Sequence, residues 1–178
     1  MAEDTLFPNG DDGGTSGWAT GDFTDINEGV ASADGLVMST DDEGHVLNVD
    51  LTAPIIKDVD TVTDVDITVR GRETGASAAS FFNVDWIIGG TAQGTQQQIS
   101  ALLTTFRNDT VSDVGWDSDW NSGQLDGAQV RITTGQTGMP TAGVWEIDAI
   151  DVVVTFTSSG VSIPVVMASY RRHNQSVI

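Results

Sequence analysis

Cysteine is absent from the 178 residues, and proline is scarce, with four in the whole chain. Without thiols the chain forms no disulfide framework, no zinc–thiolate site and no cysteine nucleophile. It also lacks any apolar run of the length that spans a bilayer, so a transmembrane helix is excluded. The N-terminal stretch MAEDTLFPNGDD has neither a basic region nor an apolar core, and we therefore expect no secretory signal.

Positive charge is the next scarcity. Seven Lys and Arg stand against 26 Asp and Glu, which gives a formal net charge of −19. Such a surface repels phosphate backbones, so the composition predicts no binding to nucleic acid. No basic residue precedes Lys57, whereas Arg171 and Arg172 lie close to the C-terminus. This basic end is a candidate contact for an acidic neighbour, and its plainer interpretation is a solvated tail.

Glycine is abundant, and Val, Ile and Thr fill the apolar segments, which favours strands joined by turns. Apolar and polar residues alternate in LNVDL (47–51), VDITV (65–69) and SFFNVDWII (80–88), as they do in strands with one wet face. Further strands are expected at 23–28, 36–39, AQVRI and 144–156, with a single helical turn in WNSGQLDG. Residues 99–106 fit both a strand and one helical turn, and the surrounding strands favour a strand. SIPVVMASY is a candidate for a last strand. The spacing predicts an all-β sandwich or barrel of about eight to ten strands.

The segment VWEIDAIDVVVTF (144–156) carries Glu146, Asp148 and Asp151 in an otherwise apolar strand. Ile150 and Val152 share the parity of Glu146 and Asp148, so the buried face of the strand changes midway. A β-bulge, or passage from a half-exposed to a fully buried place, explains such a change. We expect the three acids to lie mostly on a solvent face, without a catalytic role.

The segment DVGWDSDWNSGQLDG (113–127) is the richest in chemistry. Asp117, Asp119 and Asp126 offer the oxygen ligands that Ca²⁺ prefers, although Gly123 comes one place late for a calcium loop and no closing Glu follows. The alternative is a loop built on Asx turns. Trp116 and Trp120 beside these acids are also candidates for stacking on sugar rings, whereas Trp86 and Trp145 lie in alternating strands and are expected in the core.

Catalytic signals are few. The only histidines are His45 and His173, and neither lies in a nucleophile motif. Some pair of the many acids will always suit a glycosidase, so that pattern discriminates little. We therefore expect no enzyme.

Three stretches together resemble tailed-bacteriophage structural proteins: GWATGDFTDINEGVASADGLVMS, VTDVDITVRGRETG, and LDGAQVRITTGQTG with GVWEIDAIDVVVTF. The resemblance implies a jelly-roll-like antiparallel β-sandwich over residues 18–157, in which the N-terminal and C-terminal strands pair and Glu28 is structural. The polar, glycine-rich stretch NGDDGGTSG predicts a flexible N-terminal arm (1–17) before this span. The tail departs from the family pattern: its apolar segment and basic end predict a C-terminal arm (158–178) that makes assembly contacts and adds to a neighbour's sheet.

On this resemblance the chain is expected to be a capsid decoration or cement protein of the bacteriophage virion. Its partners would be copies of itself and other virion proteins, above all the major capsid protein, and it would bind no membrane. The alternative, which rests on Trp116 and Trp120, is a carbohydrate-binding module or a tail-fibre adhesion protein with a glycan as partner. A third hypothesis is a small glycoside hydrolase.

Overall fold

The computed structural model describes residues 1–11, 15–18, 21–55, 61–75, 80–116, 120, 122–138 and 143–158. In these residues ten strands are joined by turns, a short 3₁₀ turn and one turn of α-helix. In chain order the strands are β1 (Ala2–Leu6), β2 (Pro8–Asp11), β3 (Met38–Thr40), β4 (Val46–Leu51), β5 (Thr61–Glu73), β6 (Ser80–Ile88), β7 (Thr91–Ile99), β8 (Arg107–Ser112), β9 (Gln129–Gln136) and β10 (Trp145–Thr157). The 3₁₀ turn is Phe23–Asp25 and the helix, α1, is Ser122–Leu125.

The strands form two antiparallel five-stranded sheets. The first has the order β1-β10-β5-β8, with β3 also pairing β10, and the second has the order β2-β4-β9-β6-β7. The expectation of a jelly-roll-like antiparallel β-sandwich is confirmed. No described helix is long and apolar enough to cross a membrane.

The core lies between the sheets and is built from the inward residues of the alternating strands. In β6, the inward side chains of Phe82, Val84 and Trp86 are fully buried, and Trp145 of β10 is 2% exposed. Burial of such aromatic and branched side chains contributes about 1.5–3 kcal/mol each before the entropy of ordering is counted. The core placement predicted for Trp86 and Trp145 is confirmed.

The N-terminal residues are strands and not a flexible arm. β1 pairs with the C-terminal half of β10, from Ala2 opposite Phe156 to Leu6 opposite Val152, and β2 pairs with β4. Leu6 is 1% exposed and belongs to the core. The prediction of an arm over 1–17 is therefore wrong for residues 2–11, because pairing to β10 and β4 satisfies their backbone. Within the span of the resemblance, β3 pairs with the start of β10 from Trp145 to Ile147, which is the pairing of N-terminal and C-terminal strands that the resemblance implied.

Two predicted strands differ in the structure, and one strand was missed. Residues 23–25 form a 3₁₀ turn with a capping box between Asp22 and Asp25, where a strand was expected. Residues 100–106 are a connection between β7 and β8, where a strand was preferred. β7 itself was not predicted. The predicted C-terminal arm lies outside the described residues except for Ser158.

The predicted change of parity in β10 is a β-bulge. Ile147 lies opposite Gly71 and Ala149 opposite Arg70, so Asp148 is the extra residue on its strand. A bulge of one residue returns the following side chains to the core face, which is why Ile150, Val152 and Val154 are all fully buried.

Candidate functional site

The three acids of β10 are structural. Asp148 is 1% exposed, so the expectation that it faces solvent is wrong, and its Oδ2 accepts a hydrogen bond from Arg70 Nε at 2.7 Å. Its Oδ1 accepts the backbone N–H of Gly35 at 3.0 Å. Glu146 pairs with Arg72, and Asp151 accepts the N–H of Val30 at 3.1 Å. Asp148 and Asp151 thus hold the segment before β3 against the first sheet, whereas the Glu146–Arg72 pair links β10 to β5.

Three carboxylates where β10 meets the segment before β3 are close enough together to hold a cation. Oxygens of Glu28, Asp34 and Asp148 lie within 4.8 Å of one another. Each carboxylate already has a protein partner: Glu28 Oε1 accepts the N–H of Asp34, Asp34 Oδ1 accepts that of Leu36, and Asp148 is held by Arg70. These hydrogen bonds and the ion pair account for the cluster by the fold of this loop, and the structural role implied for Glu28 stays a prediction.

The basic side chains of this face are also occupied. The guanidinium carbons of Arg72 and Arg70 lie 4.3 Å and 5.3 Å from the centre of the Phe106 ring. Each guanidinium thus has an acid on one side and an aromatic face on the other. This arrangement stabilises the sheet and leaves no open anion site on these two residues.

A different place gathers polar groups around an aromatic ring. At one end of the second sheet a cleft of about 570 Å³ is lined by nine described residues: Ile88, Gly89, Thr91, Gln93, Trp120, Gly123, Gln124, Asp126 and Gly127. They come from two places in the chain, the turn between β6 and β7 and the segment around α1. We call this the Trp120 cleft.

The first wall of the Trp120 cleft depends on a tight hairpin. Gly89 and Gly90 join β6 to β7 with φ of 57° and 78°. Positive φ at both central residues is the type I′ geometry, which glycine adopts without strain and which matches the twist of the strands. The hairpin places Thr91 and Gln93 at the edge of the sheet, and Gln93 Nε2 donates to the carbonyl of Thr91 at 2.8 Å.

The second wall is held by tryptophans. Trp116 is fully buried, and its backbone carbonyl accepts a hydrogen bond from Trp120 Nε1 at 2.8 Å. Trp120 is half-buried and packs against the core. Fixing its only polar atom in this way holds the Trp120 indole in one orientation, with part of the ring left to the cleft.

The segment that carries Trp116 is anchored to β7. Asp113 accepts hydrogen bonds from Gly115 N at 2.6 Å and from Gln97 Nε2 at 2.9 Å. A Cβ on Gly94 would lie 2.9 Å from the Trp116 ring, so only glycine permits this approach of β7 to the turn. Leu125, the last residue of α1, is fully buried and anchors this turn in the core.

The predicted site residues fall in different places. Trp120 and Asp126 line the Trp120 cleft, whereas Trp116 is core, so the prediction that Trp116 is exposed for a ligand is wrong. The calcium ligands Asp117 and Asp119 and the basic pair Arg171 and Arg172 lie outside the described residues. The helical turn predicted near Leu125 is confirmed as α1. Thr91, Gln93 and Gln124 were not predicted, although Gly89-Gly90 is a hairpin signal that locates the first two.

No protein-family model matches the chain, and no curated protein matches it in sequence. Solved structures do. The carbohydrate-binding module CBM6cm-2 of Cellvibrio mixtus lichenase 5A, in complex with cellotriose, is 13% identical with a TM-score of 0.46, and the match covers 84% of this chain and 95% of that one.

Two further modules are similar. The CBM36-1 domain of a multidomain xylanase from the hindgut metagenome of Trinervitermes trinervoides is 14% identical, with a TM-score of 0.42, over 88% of this chain and 99% of that one. The CBM35 of Cellvibrio japonicus Abf62 is 16% identical, with a TM-score of 0.41, over 86% of this chain and 95% of that one. At these identities the likeness concerns the fold.

These neighbours correct the main functional prediction. All three are carbohydrate-binding modules and none is a phage structural protein, so the prediction of a capsid decoration protein is wrong. The phage origin implied by the resemblance and the location in a virion are not tested by the comparisons and stay predictions. The case for a ligand rests on the side chains of the Trp120 cleft.

Proposed function

We propose that the chain is a carbohydrate-binding module and that it holds a glycan in the Trp120 cleft without changing it chemically. The observation that carries this proposal is the anchored Trp120 ring, which lines a cleft together with hydroxyl, amide and carboxylate side chains and the apolar Ile88. A pyranose ring has an apolar face of C–H groups and a rim of hydroxyls. An indole plane surrounded by polar groups complements both parts.

The size and rigidity of the cleft favour recognition of a small number of sugar units. A cleft of about 570 Å³ is within the usual range of ligand sites. Its walls are a type I′ hairpin and a ring with its N–H already bonded, so little conformational entropy is lost when a ligand is bound.

The number of carboxylates in the described lining of the cleft favours a binding role over hydrolysis. Glycoside hydrolysis needs two carboxyl groups on either side of the scissile bond, roughly 5–10 Å apart. Among the described lining residues Asp126 is the one carboxylate. The cleft therefore lacks, in the residues described, the second group that an acid–base or nucleophile pair requires.

Loss of the Trp120 ring tests the proposal. Trp120→Ala should weaken glycan binding by about 2 kcal/mol, a roughly thirtyfold rise in Kd, because a central aromatic contact is removed, while Trp120→Phe should keep much of the affinity. Binding is measured by affinity electrophoresis in a series of soluble polysaccharides and by calorimetry with oligosaccharides.

The matched control is Phe106→Ala, which removes a half-buried ring from the outer face of the first sheet and leaves the cleft untouched. Circular dichroism and thermal unfolding establish that each variant is folded. A wild-type chain that binds no glycan in the series, or that binds one equally well after Trp120→Ala, contradicts the proposal.

A further inference from the structure

The described lining of the Trp120 cleft carries a single charge, and it is negative. Asp126 is the one charged side chain among its described lining residues, and it is exposed. No hydrogen bond or ion pair ties its carboxylate to any other part of the chain that the structure describes. A carboxylate with both oxygens available is thus presented to whatever occupies the cleft.

Other polar groups of the cleft have part of their donor capacity already used. Trp120 Nε1 donates to the Trp116 carbonyl, and Gln93 Nε2 donates to the Thr91 carbonyl. The Gln93 side-chain oxygen and the Asp126 carboxylate are acceptors. These two groups therefore offer acceptors to a ligand that brings strong hydrogen-bond donors.

The surrounding sequence carries charge of one sign. Between Arg107 and Arg131 there is no Lys, Arg or His, whereas Asp109, Asp113, Asp117, Asp119 and Asp126 all fall within it. The whole chain has a formal net charge of −19. A uronate or sulfated sugar would therefore meet repulsion from Asp126 and from the charge of the whole chain, and a cation would meet attraction.

From these observations we infer that the Trp120 cleft selects sugars that carry a free ammonium group, such as the glucosamine units of a deacetylated glycan, over neutral, N-acetylated and acidic sugars. This inference rests on the proposed carbohydrate-binding function. The ammonium group pairs with the Asp126 carboxylate, and the face of the Trp120 ring adds a cation–π attraction. Both interactions are lost when the amine is acetylated, because the charge is removed.

The test compares oligosaccharides of equal length that differ only at nitrogen. The probes are the trisaccharide of glucosamine, its fully N-acetylated form, the matching neutral glucose trisaccharide and a uronic acid trisaccharide, each titrated into the full chain near pH 6, where the amine is protonated. The amino form should bind about three- to tenfold more tightly than the acetylated form at low salt. The uronic acid should bind least.

Two variants distinguish attraction by the Asp126 carboxylate in the cleft from attraction by the negative charge of the whole molecule. Asp126→Asn keeps the shape of the side chain and removes its charge, so it should reduce the preference for the amino form severalfold. Asp41→Asn changes the net charge equally but lies in the turn after β3, which bonds to Thr134 at the far end of β9 from the cleft. This control should keep the preference.

The outcomes distinguish this inference from the proposed function. Equal binding of the amino and acetylated forms, with a strong loss of both in Trp120→Ala, overturns the inference and leaves carbohydrate binding intact. A preference that falls equally in Asp126→Asn and Asp41→Asn overturns the inference as well, since the attraction is then a property of the whole acidic surface. Binding of none of the four probes, together with a negative polysaccharide series, overturns both.

Discussion

Asp148, the extra residue of the bulge in β10, and Asp151, three residues further along the strand, bind the same loop. Each carboxylate accepts one backbone N–H of the segment before β3, from Gly35 and from Val30. They differ in their charge partners. Arg70 pairs with Asp148, whereas no described cation reaches Asp151, and burial raises the pKa of Asp151 more strongly than the Val30 N–H lowers it.

The raised pKa of Asp151 has a consequence for stability. Its folded pKa lies above the ordinary value of 3.8, so between these two values the folded chain holds more protons than the unfolded chain. The contribution of Asp151 to stability is thus greatest below pH 3.8 and is lost as the pH rises through the folded pKa. This sign is the reverse of that for a salt-bridged Asp.

We predict that Asp151→Asn is more stable than the wild type at neutral pH. The amide keeps an oxygen that accepts the Val30 N–H and removes the cost of a half-buried, unpaired charge. The measurement is the Tm of both proteins from about pH 3 to about pH 7. The advantage of the variant should shrink as the pH falls, and parallel curves for the two proteins would be evidence against the assignment.

At the scale of elements, the strands that could be predicted are those that bury one face. β5, β6, β9 and β10 alternate because their inward residues fill the core, and this period is visible in the sequence. β7, TAQGTQQQI, is an edge strand with most of its residues exposed, so its sequence carries little periodicity. Only its pairing with β6 defines it.

Like the strands, the candidate site was predictable only in part. Trp120 and Asp126 stand out in the sequence because they lie in a loop rich in acids and tryptophan. Thr91 and Gln93 are ordinary residues of an edge strand, and they become part of a site only because the hairpin at Gly89-Gly90 brings them beside α1. That proximity is a property of the tertiary fold and is not encoded in any local pattern.

β1 gives an element-scale prediction. Deleting residues 1–6 should destabilise the chain by more than Leu6→Ala, which by itself should cost about 3 kcal/mol through the cavity that it leaves. The deletion also exposes the backbone groups of β10 from Val152 to Phe156, an open edge that favours pairing with a second chain. Urea unfolding measures the first effect and light scattering the second.

Glu3→Gln is the matched control for this deletion, because Glu3 is an exposed residue of the same strand. It should leave the free energy of unfolding within about 0.5 kcal/mol of the wild type. A deletion variant as stable as the wild type would mean that β1 does not hold the sandwich together and that residues 1–6 behave as the arm expected from the sequence.

At the scale of the whole molecule, the excess of acid outweighs the ion pairs. Arg70, Arg72 and Arg107 pair with Asp148, Glu146 and Asp109, so a few carboxylates are compensated among the described residues while the formal charge is −19. Compacting this charge costs free energy through repulsion. Burial raises the pKa of Asp66, and the neighbouring Asp64 raises it further, which is the same repulsion seen locally.

Salt should therefore stabilise the chain. The Debye length falls from about 30 Å at 0.01 M to about 10 Å at 0.1 M, so repulsion between surface carboxylates is screened while the closer ion pairs lose less. We expect the Tm to rise by roughly 5 °C between these concentrations of NaCl, equivalent to about 2 kcal/mol for a domain of this size.

The measurement is thermal unfolding at fixed pH, with KCl as a second monovalent salt and CaCl₂ at matched ionic strength. Equal curves for NaCl and KCl identify screening, and an additional rise with CaCl₂ identifies a cation site among the carboxylates instead. A Tm that falls with NaCl would show that the ion pairs of the first sheet outweigh the repulsion of the whole molecule.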